Sequence, residues 1–275
     1  MLPSNDLASA LRCPRCGACA LRRAIDACTL ECQGCGAEVA WSRGFGDFTW
    51  AGNDPASGEE AIARRYDGLG GASYDWLVRH AFAAELLFRR FWGASHAAAA
   101  RRIAARFPDA KGARVLDLPV GGGAALVRHR ASLVSARWVV GVDLSAGMLA
   151  RAARRLAALG TGHVALVRAP ATRLPLADAT VDQALAVNSL HCFVDPGGAL
   201  RELRRVLAPG GVLAGSCIVR GAGPAADRRI ERMRERGHFA AALERTEIER
   251  ALGAAGLEAI GCDQLGAVLV FAARG

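Results

Sequence analysis

The chain has 275 residues, of which 52% are hydrophobic and 22% are charged, and its formal charge is +9. This composition excludes a disordered chain and fits one medium domain with a small appendage. No apolar run reaches the ~18 residues of a membrane-spanning helix. The first residues lack the basic and apolar regions of a secretory signal. We therefore expect a cytoplasmic protein with no membrane partner.

The positive charge is only a weak indication of nucleic-acid binding. Lys111 is the one lysine of the sequence, so a coding preference for arginine explains much of the basic excess. The densest basic segment, Arg220 to Arg236, also contains acidic residues, as a solvated helix face does. RNA is therefore an alternative partner and not the expected one.

The first segment with a chemical signature holds two Cys-x-x-Cys-Gly motifs. Their cysteines are Cys13, Cys16, Cys32 and Cys35. Four thiolates at this spacing are typical of a tetrahedral zinc site, and metal binding would supply most of the folding energy of so short a segment. A disulfide framework is the alternative, but it does not suit the cytoplasm. We expect a zinc ribbon with structural Zn²⁺ in residues 1–50, and we expect Cys19 and Cys28 to be spare.

Residues 51–110 are predicted to form a linker followed by helices. Asn53 to Gly58 has the turn residues of a linker. Apolar residues then recur at helical spacing in Ala81 to Phe91 and in Ala97 to Phe107, before Pro108 ends the run.

From residue 111 strands and helices alternate. The predicted strands are 114–118, 137–142, 163–168, 182–188 and 211–219, and the predicted helices are 122–130, 145–159 and 196–207. Ser145 is the expected N-cap of the second helix, and Pro209-Gly-Gly211 is expected to end the third. This alternation indicates an α/β fold with a mostly parallel sheet.

The end of the chain departs from this alternation. Thr246 is the expected cap of a helix that runs through Leu252. Two apolar segments, 256–260 and 266–271, follow with no helix between them. They must form a hairpin, so one of these strands runs antiparallel to the rest of the sheet.

The most specific signature is Arg114-Val-Leu-Asp-Leu-Pro-Val-Gly-Gly-Gly123, followed by Val139-Val-Gly-Val-Asp-Leu144. The first segment is a buried strand that enters a glycine loop, and the second is a strand that ends in Asp143. This order of elements forms a nucleotide-binding half-fold. The glycines allow the backbone to approach a ligand closely, and the acid accepts hydrogen bonds from ribose hydroxyls.

Taken together, these segments resemble a class I S-adenosylmethionine-dependent methyltransferase over about residues 60–275. The resemblance also rests on Leu174-Pro-Leu-Ala-Asp178, on Asn188-Ser-Leu-His-Cys-Phe-Val-Asp-Pro196 and on Leu200-Arg-Glu-Leu-Arg-Arg-Val-Leu-Ala-Pro-Gly-Gly211. It implies a Rossmann-like seven-stranded sheet with a reversed last strand in residues 111–275. A zinc ribbon (1–50) and a helical lid segment (51–110) would precede it. The implied cofactor is S-adenosylmethionine.

The resemblance assigns cofactor roles to individual residues. The implied cofactor-binding residues are Asp117, Pro119, Gly121, Gly123, Asp143, Leu144, Met148, Pro170, Ala171 and Asn188. Gly121 and Gly123 would pass beneath the methionine part of the cofactor, and Asp117 would anchor its ammonium group. Asp143 would bind the ribose, and Asn188 would lie near the sulfonium.

Two positions depart from the family pattern. Pro119 stands where glycine is usual, which is tolerable if the backbone N–H is unused. Pro170 stands where an aspartate usually accepts a hydrogen bond from the adenine amino group. Adenine would then be held by the backbone near Ala171, or less tightly.

The candidates for catalysis and for acceptor binding are fewer. His191, just past the fourth strand, is the candidate general base, and a packing residue that caps the strand end is the alternative. The expected substrate-lining residues are Tyr66, Tyr74, Trp76, His238 and Phe239, for which plain helix packing is the alternative. Methyl transfer is an in-line displacement in which positioning supplies much of the catalysis, so no dedicated catalytic residue is required.

Three functions remain open on the sequence. Methyl transfer to a small organic acceptor of the natural-product or quinone type is favoured, because the Asn188–Pro196 segment resembles those methyltransferases and Gly44-Phe-Gly-Asp-Phe48 resembles the end of the ribbon in their zinc-containing versions. A ribosomal RNA base is the alternative, because a guanine-N1 methyltransferase family also carries an N-terminal zinc module. A degenerate cofactor-binding domain without catalysis is the third.

Overall fold

The structure is a computed structural model that describes residues 3–24, 29–49, 58–107, 109–158 and 164–275, so Cys28 lies outside the described residues. Its strands are β1 (Leu21–Arg23), β2 (Thr29–Cys32), β3 (Glu38–Ser42), β4 (Phe45–Asp47), β5 (Arg114–Asp117), β6 (Trp138–Asp143), β7 (Val164–Arg168), β8 (Val181–Ala186), β9 (Leu207–Ile218), β10 (Glu258–Leu265) and β11 (Val268–Arg274). Its α-helices are α1 (Asn5–Ala10), α2 (Glu59–Asp67), α3 (Leu69–Arg79), α4 (Ala81–Trp92), α5 (His96–Arg106), α6 (Ala124–Arg128), α7 (Arg130–Leu133), α8 (Ala146–Ala158), α9 (Pro196–Val206), α10 (Pro224–Glu235) and α11 (Arg245–Ala254). Among the described helices, none has the length and apolarity that crossing a membrane requires.

Seven strands form the central sheet in the order β7-β6-β5-β8-β9-β11-β10. The first five pair in parallel, whereas β11 runs antiparallel to both of its neighbours. The predicted seven-stranded sheet with a reversed last strand is therefore confirmed. The parallel strands are continuous apolar runs because both faces of the sheet are buried. Val115 and Val139 belong to one hydrophobic cluster, and Leu116 and Val140 belong to the other.

Two predicted elements differ from the structure for local reasons. The helix expected at 122–130 is divided into α6 and α7, because the backbone leaves the helical region at His129 (φ −96°, ψ 10°). Strand β9 begins at Leu207, which pairs with Val181, and a register shift accommodates the following Pro209-Gly-Gly211. That segment therefore follows the end of α9 and does not itself end the helix.

The helix caps agree with the sequence in one case and differ in another. Ser145 caps α8 as predicted, since its Oγ accepts the backbone N–H of Met148 at 3.1 Å. The prediction that Thr246 caps the next helix was wrong, because α11 already includes Thr246 and begins at Arg245. Its N-cap is Glu244, which forms a reciprocal capping box with Glu247.

The cysteine segment extends the central sheet. Strands β1, β2 and β3 form an antiparallel meander, and β3 and β4 form a hairpin. β4 then pairs in parallel with β7, through Gly46 with Val167 and Asp47 with Arg168. An uncovered edge strand is prone to pair with other chains. The N-terminal segment thus covers the edge that β7 would otherwise present.

The segment and the core also share a hydrophobic cluster. Leu30, Trp41 and Phe48 of the N-terminal segment belong to the same buried cluster as Ala169 and Leu176 of the core. The domain limits expected from the sequence stay a prediction. The packing between the described N-terminal residues and the core is continuous, so this segment is held by apolar contacts with the core, whereas the sequence predicted metal binding as its main source of folding energy.

The helical segment is tied to the start of α8. Asp67 Oδ1 accepts hydrogen bonds from Ser145 Oγ at 2.7 Å and from the backbone N–H of Gly147 at 2.8 Å. The guanidinium of Arg151 donates to three carbonyls at the α2–α3 junction, at 2.9–3.2 Å. A side chain on Gly147 would collide with the backbone of Asp67, so this close approach requires glycine.

A second tie is a buried ion pair between α3 and α8. Arg155 Nη2 donates to both carboxylate oxygens of Asp75, at 2.7 and 2.9 Å, and Asp75 is 5% exposed. Arg155 Nη1 also donates to the carbonyl of Gly122 in the glycine loop. One guanidinium thus joins the helical segment, the loop and the core.

We expect Arg155→Met to lower the free energy of unfolding by about 3–5 kcal/mol, because it leaves the carboxylate of Asp75 buried without its partner. Arg154→Met is the matched control on the same helix, since Arg154 has no ion pair with any described residue. Its effect should stay within about 0.5 kcal/mol. Urea unfolding of both variants measures the difference, and equal losses would contradict the role given to the pair.

Candidate active site

The polar groups of the site lie where neighbouring parallel strands end. β5 ends at Asp117, β6 ends at Asp143, and Asn188 follows the end of β8. In an open α/β sheet, the carboxyl ends of the strands form the crevice in which ligands bind. The structure therefore brings together three residues that the sequence places far apart.

Asp143 holds the loop after β5 and the start of α8 together. Its Oδ2 accepts the N–H of Gly121 and its Oδ1 accepts the N–H of Ser145, both at 2.8 Å. Burial raises the pKa of this carboxyl to about 6, although these N–H donors favour the charged form. Asp143 is thus a carboxylate near neutral pH with accepting capacity left for hydroxyl donors.

Asp117 is fully buried, and its two carboxyl oxygens have no hydrogen-bond partner among the described residues. Burial raises its pKa well above the ordinary value, and the nearby charge of Asp143 raises it further. A buried carboxyl without a partner is costly. A donor group of a bound ligand would satisfy it, as the sequence predicts for a ligand ammonium.

A cavity of about 1130 Å³, counted to its open mouth, lies between the helical segment and the sheet. Its lining includes Pro119, Gly121 and Met148 of the predicted cofactor site, with Val78, Phe88, Ala99 and Ile103 among the apolar residues. The cavity therefore adjoins the glycine loop and is mostly apolar.

Four polar side chains of the cavity form one cluster. Asn188 Nδ2 donates to Tyr74 Oη at 2.7 Å, and the rings of Tyr74 and Tyr66 meet edge to face at 5.9 Å. Tyr66 Oη lies 3.9 Å from the thiol of Cys192. Burial raises the pKa of Cys192 to about 12, and burial also raises the pKa of Tyr74 above its ordinary value. The cluster is neutral near pH 7, so it can position a ligand but supplies no charged base.

Asn188 has an unusual backbone conformation. Its φ of +54° lies in the left-handed region, which residues other than glycine rarely adopt. Its backbone N–H donates to Ser216 Oγ at 3.0 Å, and its side chain bonds Tyr74. Such strain collects at ligand-binding positions, where the surrounding contacts hold it. This supports the position predicted for Asn188 beside the reacting group.

The structure corrects the proposal for His191. The ring is 1% exposed, and its Nδ1 accepts the backbone N–H of Ile218 at 3.1 Å, so the proton lies on Nε2. Nε2 is buried with no partner among the described residues, and the ring packs edge to face on Phe239 at 4.3 Å. Burial lowers the pKa of His191 to about 3. It does not line the cavity, so the packing alternative fits and a general base does not.

The residues predicted to line the substrate site lie in different places. Tyr66 and Tyr74 line the cavity, whereas Trp76, His238 and Phe239 are not among the described residues that line it. Phe239 is buried against His191, and Trp76 lies in an adjacent groove. His238 contributes its backbone carbonyl, which accepts the Tyr66 hydroxyl at 3.3 Å.

The remaining predicted cofactor residues lie around the carboxyl end of β7. Pro170 and Ala171 are buried there, and Arg168 Nε donates to the carbonyl of Leu144 at 3.0 Å. Arg168 also forms an ion pair with Asp47 of β4 at 3.1 Å. Arg168 of β7 therefore links the N-terminal segment to the loop that follows Asp143.

Sequence reasoning missed several residues of this region. Asp67 and Arg168 hold the two sides of the α8 start, and His96, Arg128 and His129 line the cavity. The contacts of these residues come from helix packing across long stretches of sequence. No local pattern distinguishes them from the other arginines and histidines of the chain.

The four predicted metal ligands lie together. The Sγ atoms of Cys13, Cys16, Cys32 and Cys35 are all within 4.8 Å of one another. Cys13 and Cys35 are 3.7 Å apart, and Cys16 and Cys32 are 3.6 Å apart. Four sulfurs at about 2.3 Å from a tetrahedral zinc would be separated by roughly 3.8 Å. The cluster therefore fits a zinc ion, and exposed Cys19 is not part of it.

Comparisons with known proteins agree with this geometry. Residues 116–215 match the family model described as a methyltransferase domain. A demethylmenaquinone methyltransferase of Mycolicibacterium paratuberculosis is 40% identical over 102 residues, which are 37% of this chain and 40% of that protein. Another demethylmenaquinone methyltransferase, from Mycobacterium sp. (strain KMS), is 34% identical over 161 residues, or 58% of each chain.

Among solved structures, the geranyl diphosphate C-methyltransferase of Streptomyces coelicolor has a TM-score of 0.61 at 18% identity. The match covers 80% of this chain and 99% of that one. This chain has the class I methyltransferase fold. It spans only about two fifths of the length of the first curated relative that it matches.

Proposed function

We propose that this protein transfers a methyl group from S-adenosylmethionine to a small organic acceptor. The observation that carries the proposal is Asp143, a carboxylate at the end of the second core strand whose partners are the glycine-loop N–H of Gly121 and the start of α8. A cavity that reaches the same loop and Asn188 provides space for an acceptor. The methyltransferase-domain match over residues 116–215 supports the same activity.

The residues of the site fit the cofactor by their chemistry. Asp143 would bind the ribose hydroxyls, and the unpartnered carboxyl of Asp117 would meet the ammonium group. Gly121 and Gly123, at φ of +52° and +78°, keep side chains away from the methionine part. When bound, S-adenosylmethionine supplies an activated methyl group on a sulfonium. The chain itself positions the two reactants.

A small acceptor is supported by the shape and lining of the cavity. The helical segment closes over the cavity, and the walls are mainly apolar. Two relatives matched over part of their length are named for demethylmenaquinone methylation, which agrees with a quinone-like acceptor. A degenerate domain remains an alternative, because Pro170 lacks the acceptor expected for adenine, and transfer to a ribosomal RNA base remains the other.

We further propose that the four-cysteine cluster holds a structural Zn²⁺. Four thiolates complete a tetrahedral shell and leave no coordination position for a substrate. The ion would fix the turns that carry the two cysteine pairs, and β4 would transmit this order to the edge of the core sheet.

The affinity for S-adenosylhomocysteine should fall as the pH is lowered through about 6. The ribose hydroxyls donate to the ionised carboxyl of Asp143, whose pKa is raised to about 6, so protonation removes the acceptor. Below that pH the dissociation constant should rise by about tenfold per pH unit. Calorimetric titration between pH 5 and pH 8 measures this dependence.

The matched variants for this titration are Asp143→Asn and Asp178→Asn. The first should weaken binding by about 10- to 100-fold at pH 8 and remove the pH dependence, because hydrogen bonds to a charged acceptor are lost. Asp178 is an acid with an exposed side chain away from the loop, so the second variant should bind as the original chain does. Unchanged binding by Asp143→Asn would overturn the proposed cofactor site.

Cys13→Ser should remove zinc from the protein, whereas Cys19→Ser should retain it. Cys13 is one of the four clustered ligands, and Cys19 is exposed and outside the cluster. Metal analysis of the purified chains should find one zinc ion per chain in the original protein and in Cys19→Ser. A full zinc content in Cys13→Ser would contradict the assigned ligand set.

A further inference from the structure

The cavity adjoins a second groove of different character. The two share Val78, Ala124 and Arg128 as a common wall. The groove is lined by Arg79, Arg128, Arg151, Arg154 and Arg155, and Asp75 is its one acidic residue. Within the described residues, a mostly apolar cavity therefore lies beside a strongly positive groove, and Arg128 lines both.

Two of these five arginines already have partners. Arg155 is held by the carboxylate of Asp75, which neutralises the single acid of the groove. Arg151 donates to three backbone carbonyls at the α2–α3 junction. Both arginines serve the packing of the helical segment on α8.

The other three arginines have no such role. Arg79, Arg128 and Arg154 form no hydrogen bond or ion pair with any residue that the structure describes. Partial burial lowers the pKa of Arg128, yet no carboxylate lies against it to compensate. Three unpaired guanidinium groups around one groove repel each other, so an anion bound among them would be stabilised.

The groups that share the cavity wall with Arg128 are uncharged. His96 and His129 line the same cavity, and burial together with the charge of Arg128 lowers the pKa of both imidazoles. Glu85, which lies near His96, is committed to Arg89 and to the backbone N–H of Ala97. Arg128 is therefore the charged group at the junction of cavity and groove.

We propose that the acceptor is an amphiphile, with an apolar body in the cavity and an anionic group, such as a phosphate or a carboxylate, bound by Arg128 with Arg79 and Arg154. That this amphiphile is the methyl acceptor rests on the proposed function. The anion site itself rests only on the arginines and on the residues that the groove shares with the apolar cavity. Arg128 acts as a specificity determinant, because it selects acceptors that carry the anionic group.

The test uses octyl phosphate as the probe, with octanol and inorganic phosphate as its two halves. Calorimetric titration of the full-length, zinc-loaded chain should give at least about tenfold tighter binding of octyl phosphate than of either half. Arg128→Gln should remove this preference, and Arg154→Gln should weaken it. Arg22→Gln is the control, since Arg22 is exposed on β1 and its substitution removes the same charge far from the groove.

Four results would overturn the proposal. Octyl phosphate that binds no better than octanol, or binding that Arg22→Gln weakens as much as Arg128→Gln does, would leave no specific anion site. A loss of S-adenosylhomocysteine affinity in Arg128→Gln, with unchanged affinity for methylthioadenosine, would show that Arg128 holds the cofactor carboxylate. Tighter, strongly salt-dependent binding of an RNA oligonucleotide in the same groove would assign it to phosphates of a nucleic acid.

Binding of S-adenosylhomocysteine and the preference for octyl phosphate test the proposed function and the anion site separately. A chain that fails to bind S-adenosylhomocysteine but prefers octyl phosphate would lose the methyltransferase assignment and keep the anion site. A chain that binds S-adenosylhomocysteine without preferring octyl phosphate would keep the methyltransferase assignment and lose the anion site.

Discussion

The geometry of the site depends on the carboxylate of Asp143. It accepts the N–H of Gly121 on one side and the N–H of Ser145 on the other, so the glycine loop and the start of α8 take their positions from one side chain. Asp67 then bonds the same helix start from the helical segment. Because Asp143 and Asp67 both contact the start of α8, the cavity wall, the helical segment and the glycine loop form one connected structure.

The edge of the sheet imposes the second constraint. A parallel sheet whose outer strand β7 were open would present unpaired backbone groups, and β4 of the N-terminal segment closes that edge. Arg168 joins the two strands to the loop after Asp143, through Asp47 and the carbonyl of Leu144. The cysteine segment is therefore linked through Arg168 to the proposed cofactor site.

The sequence predicted the parts of this fold that depend on local pattern. Apolar runs ending in Asp117 and Asp143 located the central strands, and two short strands without a helix between them predicted the reversed last strand. The cysteine spacing likewise predicted a cluster that the structure brings together.

Features set by distant packing were not predictable in this way. The position of His191 after β8 gave no sign that its ring turns away from the cavity and packs on Phe239, which lies 48 residues further along the chain. Arg128 and Asp75 have ordinary local sequences. Their significance comes from which helices meet around the groove and the cavity.

The most direct test of the account is a crystal structure of the protein with S-adenosylhomocysteine. We predict that both ribose hydroxyls lie at about 2.6–3.2 Å from the carboxylate of Asp143. The sulfur should face the cavity beside Asn188 and Tyr66. A ligand bound elsewhere, or a ribose with no contact to Asp143, would contradict the central claim that this carboxylate organises a cofactor site.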